Sequence, residues 1–269
     1  MPPRSAPRAE PLERVLSKWR IASRTQAQHL VRAGRVRLDG AVVLDPRRFV
    51  DPARARIEVD GVAVARRVAT PTWLALNKPR GVVSTTADPQ GRRTVMDLVA
   101  PPHPPGLAPV GRLDQASAGL LLLTDDAGTA ARLLDPTSHV EKRYRVKVAA
   151  RLAPEELARL RQDTVTEDGL VLGPMRVEVE AENPRSTWIV VTLREGKNRQ
   201  IRRRIADLGH EVEVLVRTAF GPIELGDLAP GACRPLRPDE VATLTRASGG
   251  GPGAASARGP RRRSGPRRA

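Results

Sequence analysis

Between Leu12 and Gly61 the apolar residues change their period, and that change limits what the segment can become. Leu12, Val15, Leu16 and Trp19 fall at i, i+3, i+4 and i+7, the spacing that gathers side chains on one helix face. Ser23 precedes Gln26 by three, so the two can cap each other's backbone and open a second helix. Leu30 and Val31 give that helix an apolar side, and Gly34 ends it. From Val36 the period is two. Val36 and Leu38 alternate, Asp39-Gly40 suits a hairpin turn, Val42 continues the return, and Ile57 and Val59 close the unit before Asp60-Gly61. The prediction is a small helix-helix-hairpin domain over residues 11–61. Arg24, Arg32, Arg35 and Arg37 cluster around its second helix and first strand, with no acid among residues 18–38. Any one of them suits a solvated face; together they suit a surface that grips phosphates.

Residues 1–10 read as a disordered leader, 62–71 as a linker carrying Arg66 and Arg67, and 72–246 as a larger domain. Residues 247–269 read as a disordered tail of Gly, Pro, Ala, Ser and Arg, without an acid and without material for a core. The larger domain opens on an apolar strand, Trp73 to Leu76, which runs into Asn77-Lys78-Pro79-Arg80-Gly81, where Pro and Gly force a loop. Gly119 to Thr124 is a short apolar strand built on four leucines, as expected of one covered on both faces. Residues 143–148 alternate strictly, with Tyr144, Val146 and Val148 on one side. Pro154 to Gln162 and Arg199 to Leu208 read as helices, the latter with Ile201, Ile205 and Leu208 inward; Trp188 to Leu193 and Val212 to Val216 read as strands. Helices and strands mix without a βαβ rhythm. The fold class is therefore α+β: the helix-helix-hairpin domain followed by a mixed, mainly antiparallel sheet domain.

Composition narrows the function classes. Lys and Arg number 46 against 30 Asp and Glu, for a net charge of +16. The tail holds six arginines, so the body is basic in its own right and an anionic polymer is the expected partner. Three Trp, two Phe and one Tyr are too few rings to grip many bases by stacking. Cys233 stands alone, which excludes an internal disulfide framework and a cysteine zinc site. No apolar run is long enough for a transmembrane helix, and Met1 to Glu10 lacks the apolar stretch of a signal peptide, so the expected compartment is the cytoplasm, with no membrane partner.

Nucleotide loops and the His-Glu-x-x-His metal motif are missing. Ser117 has no convincing His and Asp partners, and His139 and His210 read as structural or surface residues. Three features remain. Asp114, in Gly111-Arg112-Leu113-Asp114 ahead of the apolar strand, is either a turn residue capping its own backbone or a carboxylate in a cleft. Tyr144, the only tyrosine, is either a core ring or a platform for one base. Lys197 to Arg203 places four cations at a helix start, where the helix dipole already disfavours positive charge, which points to a bound anion or a solvated surface.

At these places the sequence resembles the bacterial ribosomal RNA pseudouridine synthases of the RsuA/RluB type, over about residues 12–246. Ser23-Arg24 through Gly34-Arg35-Val36 and Asp39-Gly40 resemble the S-four RNA-binding domain. Lys78-Pro79-Arg80-Gly81-Val82-Val83 and Asp88-Pro89-Gln90-Gly91-Arg92 are similar to the family's opening strand and loop. Gly111-Arg112-Leu113-Asp114 with Gly119 to Thr124 looks like its catalytic motif, and Gly196-Lys197-Asn198-Arg199-Gln200-Ile201-Arg202-Arg203 is its most specific signature. The resemblance implies an isomerase, without cofactor or metal, that turns a specific uridine of ribosomal RNA into pseudouridine, with 23S favoured over 16S. It implies Asp114 as the essential carboxylate, Tyr144 stacked on the uracil, and Arg202 paired with Asp114. Ile201 would pack beside the site, with Arg112, Lys142, Lys197 and Arg199 near the RNA. The implied partner is ribosomal RNA or a pre-ribosomal particle, and the implied state a monomer. The sequence departs from the family at Gln115-Ala116-Ser117, where only the hydroxyl of Ser117 is kept. The alternative function is a non-catalytic ribosomal RNA-binding or assembly factor; the intact set of Asp114, Tyr144 and Arg202 favours the enzyme.

Overall fold

In a computed structural model that describes residues 9–64, 70–166 and 169–249, the change of period becomes two helices and a small sheet. Helix α1 spans Leu12–Lys18 and α2 spans Arg24–Arg32. Ser23 caps α2 as its spacing predicts: Gln26 N donates to Ser23 Oγ at 3.3 Å and Ser23 N donates to Gln26 Oε1 at 2.9 Å. Strand β1 (Val36–Leu38) turns at Asp39-Gly40 into β2 (Ala41–Val42), both turn residues having positive φ, as this hairpin requires. Asp60-Gly61 adopts the same positive-φ pair, so it is a second hairpin and not the end of the unit. It joins β3 (Ile57–Val59) to β4 (Val62–Val64), and the sheet runs three residues into the stretch read as a linker. Arg66 and Arg67 lie outside the described residues, as do most of the leader and tail. Glu10, read as leader, pairs with Val50 in a short ladder and binds Lys18. Leu12, Leu16, Ala27, Val31, Val36 and Ile57 form the core of this first unit.

The second unit is built on one sheet. Its strands are β5 (Trp73–Lys78), β6 (Ala118–Thr124), β7 (Lys142–Val148), β8 (Arg176–Asn183), β9 (Ser186–Leu193), β10 (Val212–Phe220) and β11 (Cys233–Pro235). Its helices are α3 (Ala127–Leu134), α4 (Pro154–Leu160), α5 (Gln200–Ala206) and α6 (Pro238–Ala247). The sheet order is β8-β9-β7-β10-β6-β5-β11. Every neighbouring pair is antiparallel except β10 and β6, which run parallel over Val216–Ala118 and Arg217–Gly119. This short parallel seam joins the two halves of the domain.

β6 is covered on both faces. Leu120 and Leu122 pack with Trp73, Leu133 and Phe220, while Leu121 and Leu123 pack with Leu76, Val82 and Leu107. A third cluster, around Val146, Ile189, Val191 and Ile205, fills the other half. β5 extends through Asn77 and Lys78, so the predicted loop begins only at Pro79. The two units meet at a buried ion pair, Arg20 Nη2 to Asp125 Oδ1 at 3.2 Å, and Thr72 N also donates to Asp125. Among the described residues no helix is long and apolar enough to cross a membrane.

Candidate active site

The loop from Gly111 to Ser117 runs into the seam end of β6 and carries Asp114. Three devices hold it. Ser84 Oγ donates to Leu113 O at 2.8 Å and accepts from Leu113 N at 3.1 Å. Gly81 N donates to Gln115 O at 2.8 Å, and Gln115 Nε2 returns a bond to Gly81 O at 3.0 Å. Gln115, where the sequence departs from the family pattern, thus ties the loop to the turn after β5. The third device is Lys78, at the end of β5 and fully buried. Its ammonium donates to Asp114 O at 3.1 Å, Ser117 O at 2.8 Å and Pro79 O at 3.0 Å. Burial pushes its pKa down to about 8, with Asp114 pulling it up and Arg217 pulling it further down.

Loop and sheet enclose a cavity of about 410 Å³. All eight side chains that the resemblance implicates in the second domain line it: Asp114, Tyr144, Arg202, Arg112, Lys142, Ile201, Arg199 and Lys197. They come from separate elements, the loop before β6, strand β7, and the start of α5, so only the fold brings them together. Tyr144 is half-buried on β7 and packs against the core clusters on either side of the seam. Ile201 is buried at the first turn of α5.

The charges are arranged differently from expectation. Arg202 does not pair with Asp114: its Nη2 donates to Ala116 O at 3.2 Å and its Nη1 to Val212 O at 3.1 Å. Two carbonyls, one on the aspartate's own loop, occupy the guanidinium. Burial and Arg199 lower the pKa of Arg202, while the carboxylate of Asp114 raises it. Arg199 Nη1 is 4.0 Å from Asp114 Oδ2, at the outer limit of an ion pair. Arg199 precedes α5 with φ of 51°, a left-handed conformation that turns the chain into the helix. Lys197 is held by Glu195 at 2.9 Å and by the carbonyl of Val171, so it braces its own loop. Arg204, from the same basic run, is buried and structural, donating to the carbonyls of Gly173, Arg159 and Gln162.

Two residues of the site were not singled out from sequence. Lys78 falls within Lys78-Pro79-Arg80-Gly81, and its place beneath Asp114 shows only in the fold. Arg217 is buried on β10, directly opposite Tyr144 on β7, and lines the cavity. The valines of β10 are only half-buried; Leu215, Arg217 and Ala219 occupy the buried face. Across the seam sits Gly119, with φ of 104°; a β-carbon there would lie 2.3 Å from Arg217 O and 2.5 Å from Arg217 N.

In the first unit Arg24, Arg32, Arg35 and Arg37 are all exposed. Arg35 is not a bare charge, since Asp60 binds it at 2.6 and 2.7 Å from the second hairpin turn. Arg37 donates to Gly40 O at 3.1 Å. His210 is bonded to Glu156 at 2.8 Å, in keeping with its structural reading.

Residues 72–207 match the family described as RNA pseudouridylate synthase, and residues 10–55 match the S4 domain. An uncharacterized RNA pseudouridine synthase of Mycobacterium tuberculosis (strain ATCC 25618 / H37Rv) is 41% identical over 246 residues, covering 90% of this chain and 96% of the relative. The ribosomal large subunit pseudouridine synthase B of Bacillus subtilis (strain 168) is 36% identical over 237 residues, covering 87% and 95%. A crystal structure of a pseudouridylate synthase superposes with a TM-score of 0.64 at 26% identity, over 87% of this chain and 99% of that one. With the fold, the clustered site and these matches in agreement, the chain belongs to the RNA pseudouridine synthases, the RsuA/RluB type that couples an S4 domain to a catalytic domain, and is an isomerase.

Proposed function

We propose that this protein isomerises one uridine of ribosomal RNA to pseudouridine, with the large-subunit RNA favoured, and that Asp114 is the carboxylate on which the reaction depends. The observation that carries this reading is the single cavity into which Asp114, Tyr144 and Arg202 converge. The relative from Bacillus subtilis named for the large ribosomal subunit supports the choice of RNA.

The reaction breaks the bond between uracil nitrogen 1 and the ribose, turns the base, and rejoins it through carbon 5. The proton on carbon 5 leaves and nitrogen 1 gains one, so atoms and charge balance without an added reactant. The base must first leave its stack, at a cost of a few kcal/mol. Tyr144 offers it a ring, and the core clusters on both sides keep that ring in place. Asp114 is partly open to the cavity, with the guanidinium of Arg199 4.0 Å from its carboxylate and further cations lining the same space. Arg202 acts through the loop: its bond to Ala116 O holds the backbone that presents Asp114. Arg199 is the cation nearest the carboxylate. The S4 domain grips RNA phosphates through Arg24, Arg32, Arg35 and Arg37.

Asp114→Asn in the purified protein should abolish pseudouridine formation while RNA binding persists, and continued turnover would sink the assignment. Mapping pseudouridines in 16S and 23S RNA from a deletion strain identifies the target. A single position lost from 23S is the expected result; no position lost from either RNA would overturn the ribosomal reading.

A further inference from the structure

The cavity lining holds six cationic side chains and two carboxylates. Both carboxylates have partners away from β10: Asp114 faces Arg199, and Glu195 is bound by Lys197, Gln200 and the backbone of Gly173. Arg217 is 3% exposed. Its Nε donates to Leu120 O at 2.7 Å, and its Nη2, buried, makes no hydrogen bond. Lys142 is buried on the adjacent strand, two residues from Tyr144 on the same face. The two cations share one ring: Lys142 Nζ is 5.5 Å and Arg217 Cζ 5.4 Å from the centroid of Phe220. The nearby acids are taken elsewhere, Glu141 by Arg194 and Glu224 by Arg143.

Two buried cations side by side are costly, and each opposes the other. Burial and then Arg217 lower the pKa of Lys142, with no carboxylate acting in the other direction. A cation–π contact returns only part of that cost. An arrangement of this kind is stabilised when an anion enters.

We propose that Arg217 and Lys142 form the seat for one RNA phosphate, that of a linkage flanking the target uridine. This rests on the reading that the cavity accepts an RNA uridine. A uracil carbonyl could accept one hydrogen bond but would leave both charges unneutralised. A phosphate supplies the charge, and it offers a guanidinium two oxygens at the spacing of its fork. Its position opposite Tyr144 places Arg217 to hold the backbone while the ring holds the base. Arg217 is thus a binding residue, distinct from the carboxylate that drives the reaction.

The test uses an RNA stem-loop containing the mapped uridine, either native or with a neutral methylphosphonate at the linkage on its 5′ or 3′ side. Pseudouridine formation is followed for the wild type, Arg217→Met and Arg217→Lys, with thermal melting as the check on folding. In the wild type one of the two neutral linkages should lower kcat/KM by roughly 10- to 100-fold, the value of a charge-assisted hydrogen bond. Arg217→Met should lose a similar factor on native RNA and lose little more on the neutral linkage, and Arg217→Lys should recover part of the loss. The proposal is overturned if neither neutral linkage slows the wild type, or if the two losses multiply in Arg217→Met. Should Arg217→Met fail to fold, the wild-type and Arg217→Lys arms decide: Arg217→Lys must show a smaller penalty than the wild type at the same linkage. If the wild type makes no pseudouridine in native RNA, the enzymatic reading of the site fails first, and the phosphate seat falls with it.

Discussion

Lys78 shows how one side chain can serve a site that it does not enter. Its ammonium replaces water for three carbonyls, two of them on the Asp114 loop. Lys78→Met would remove the buried donor that these carbonyls share, leaving Asp114 O with only its bond from Ser117 N, and the expected cost is about 1–3 kcal/mol of stability. Activity should fall with it, because the loop that presents Asp114 loses its anchor. The pH dependence separates this residue from others. Lys78 releases its proton near pH 8 in the fold and at 10.5 when unfolded. Between those values the unfolded chain holds a proton that the fold has given up, so wild-type stability rises with pH across that window; below it, the cost of the buried charge is present in full. Urea denaturation at about pH 7 and about pH 10 should show the wild type gaining on Lys78→Met at the higher pH. An unchanged difference would mean that Lys78 keeps its proton in the fold across the whole range.

At the scale of elements, α6 is tied to the sheet by charge. Glu240, in its first turn, accepts from Arg234 on β11 at 2.8 and 2.9 Å and from Arg237 N at 2.8 Å. These bonds, chiefly those from Arg234, hold its pKa at about 2 against an ordinary 4.5. The stabilisation is complete above pH 4.5 and disappears as pH falls through about 2. Glu240→Gln should therefore be less stable than the wild type at neutral pH, with the gap narrowing in acid; a pH-independent gap in denaturation curves would rule out the ion pair as its source. The elements were legible wherever one pattern had one meaning. Ser23 with Gln26 is a cap, and an all-leucine run bounded by turns is a strand covered twice. Asp60-Gly61 misled because a tight turn can end a unit or return a strand, and only pairing with β3 decides between them. β10 hides its buried face for another reason. Its valines draw the eye, yet the buried face carries Leu215, Arg217 and Ala219, because an arginine looks the same in sequence whether it faces water or a cavity. The Asp114 motif was readable, whereas the partner of Arg202 depended on which carbonyl or carboxylate the folded loop brings within reach.

For the whole molecule, positive charge is spread over three places. The exposed arginines of the first unit and the cationic cavity lie within the described residues, and six further arginines stand in the sequence of the tail. The logarithm of the RNA-binding constant should fall linearly with the logarithm of salt concentration, with a slope that counts the phosphates neutralised. Filter binding across a salt series measures that slope, and a flat line would contradict a phosphate grip. Arg24→Ala and Arg32→Ala together should reduce the slope without changing the site of modification. The two units are not beads on a thread, since Arg20 and Asp125 join them inside the protein. Within the catalytic unit the halves meet along the short run where β6 and β10 lie parallel. The Asp114 loop approaches that run from one side, and Arg217 belongs to the other. At Gly119 the gap between them admits a hydrogen atom and no carbon. The gauge of the enzyme is thus set by the smallest spacer chemistry allows. It cannot be narrowed, and the next size up, a methyl group, forces the strands apart. Side chains can be exchanged along either strand, but the seam itself comes in one width.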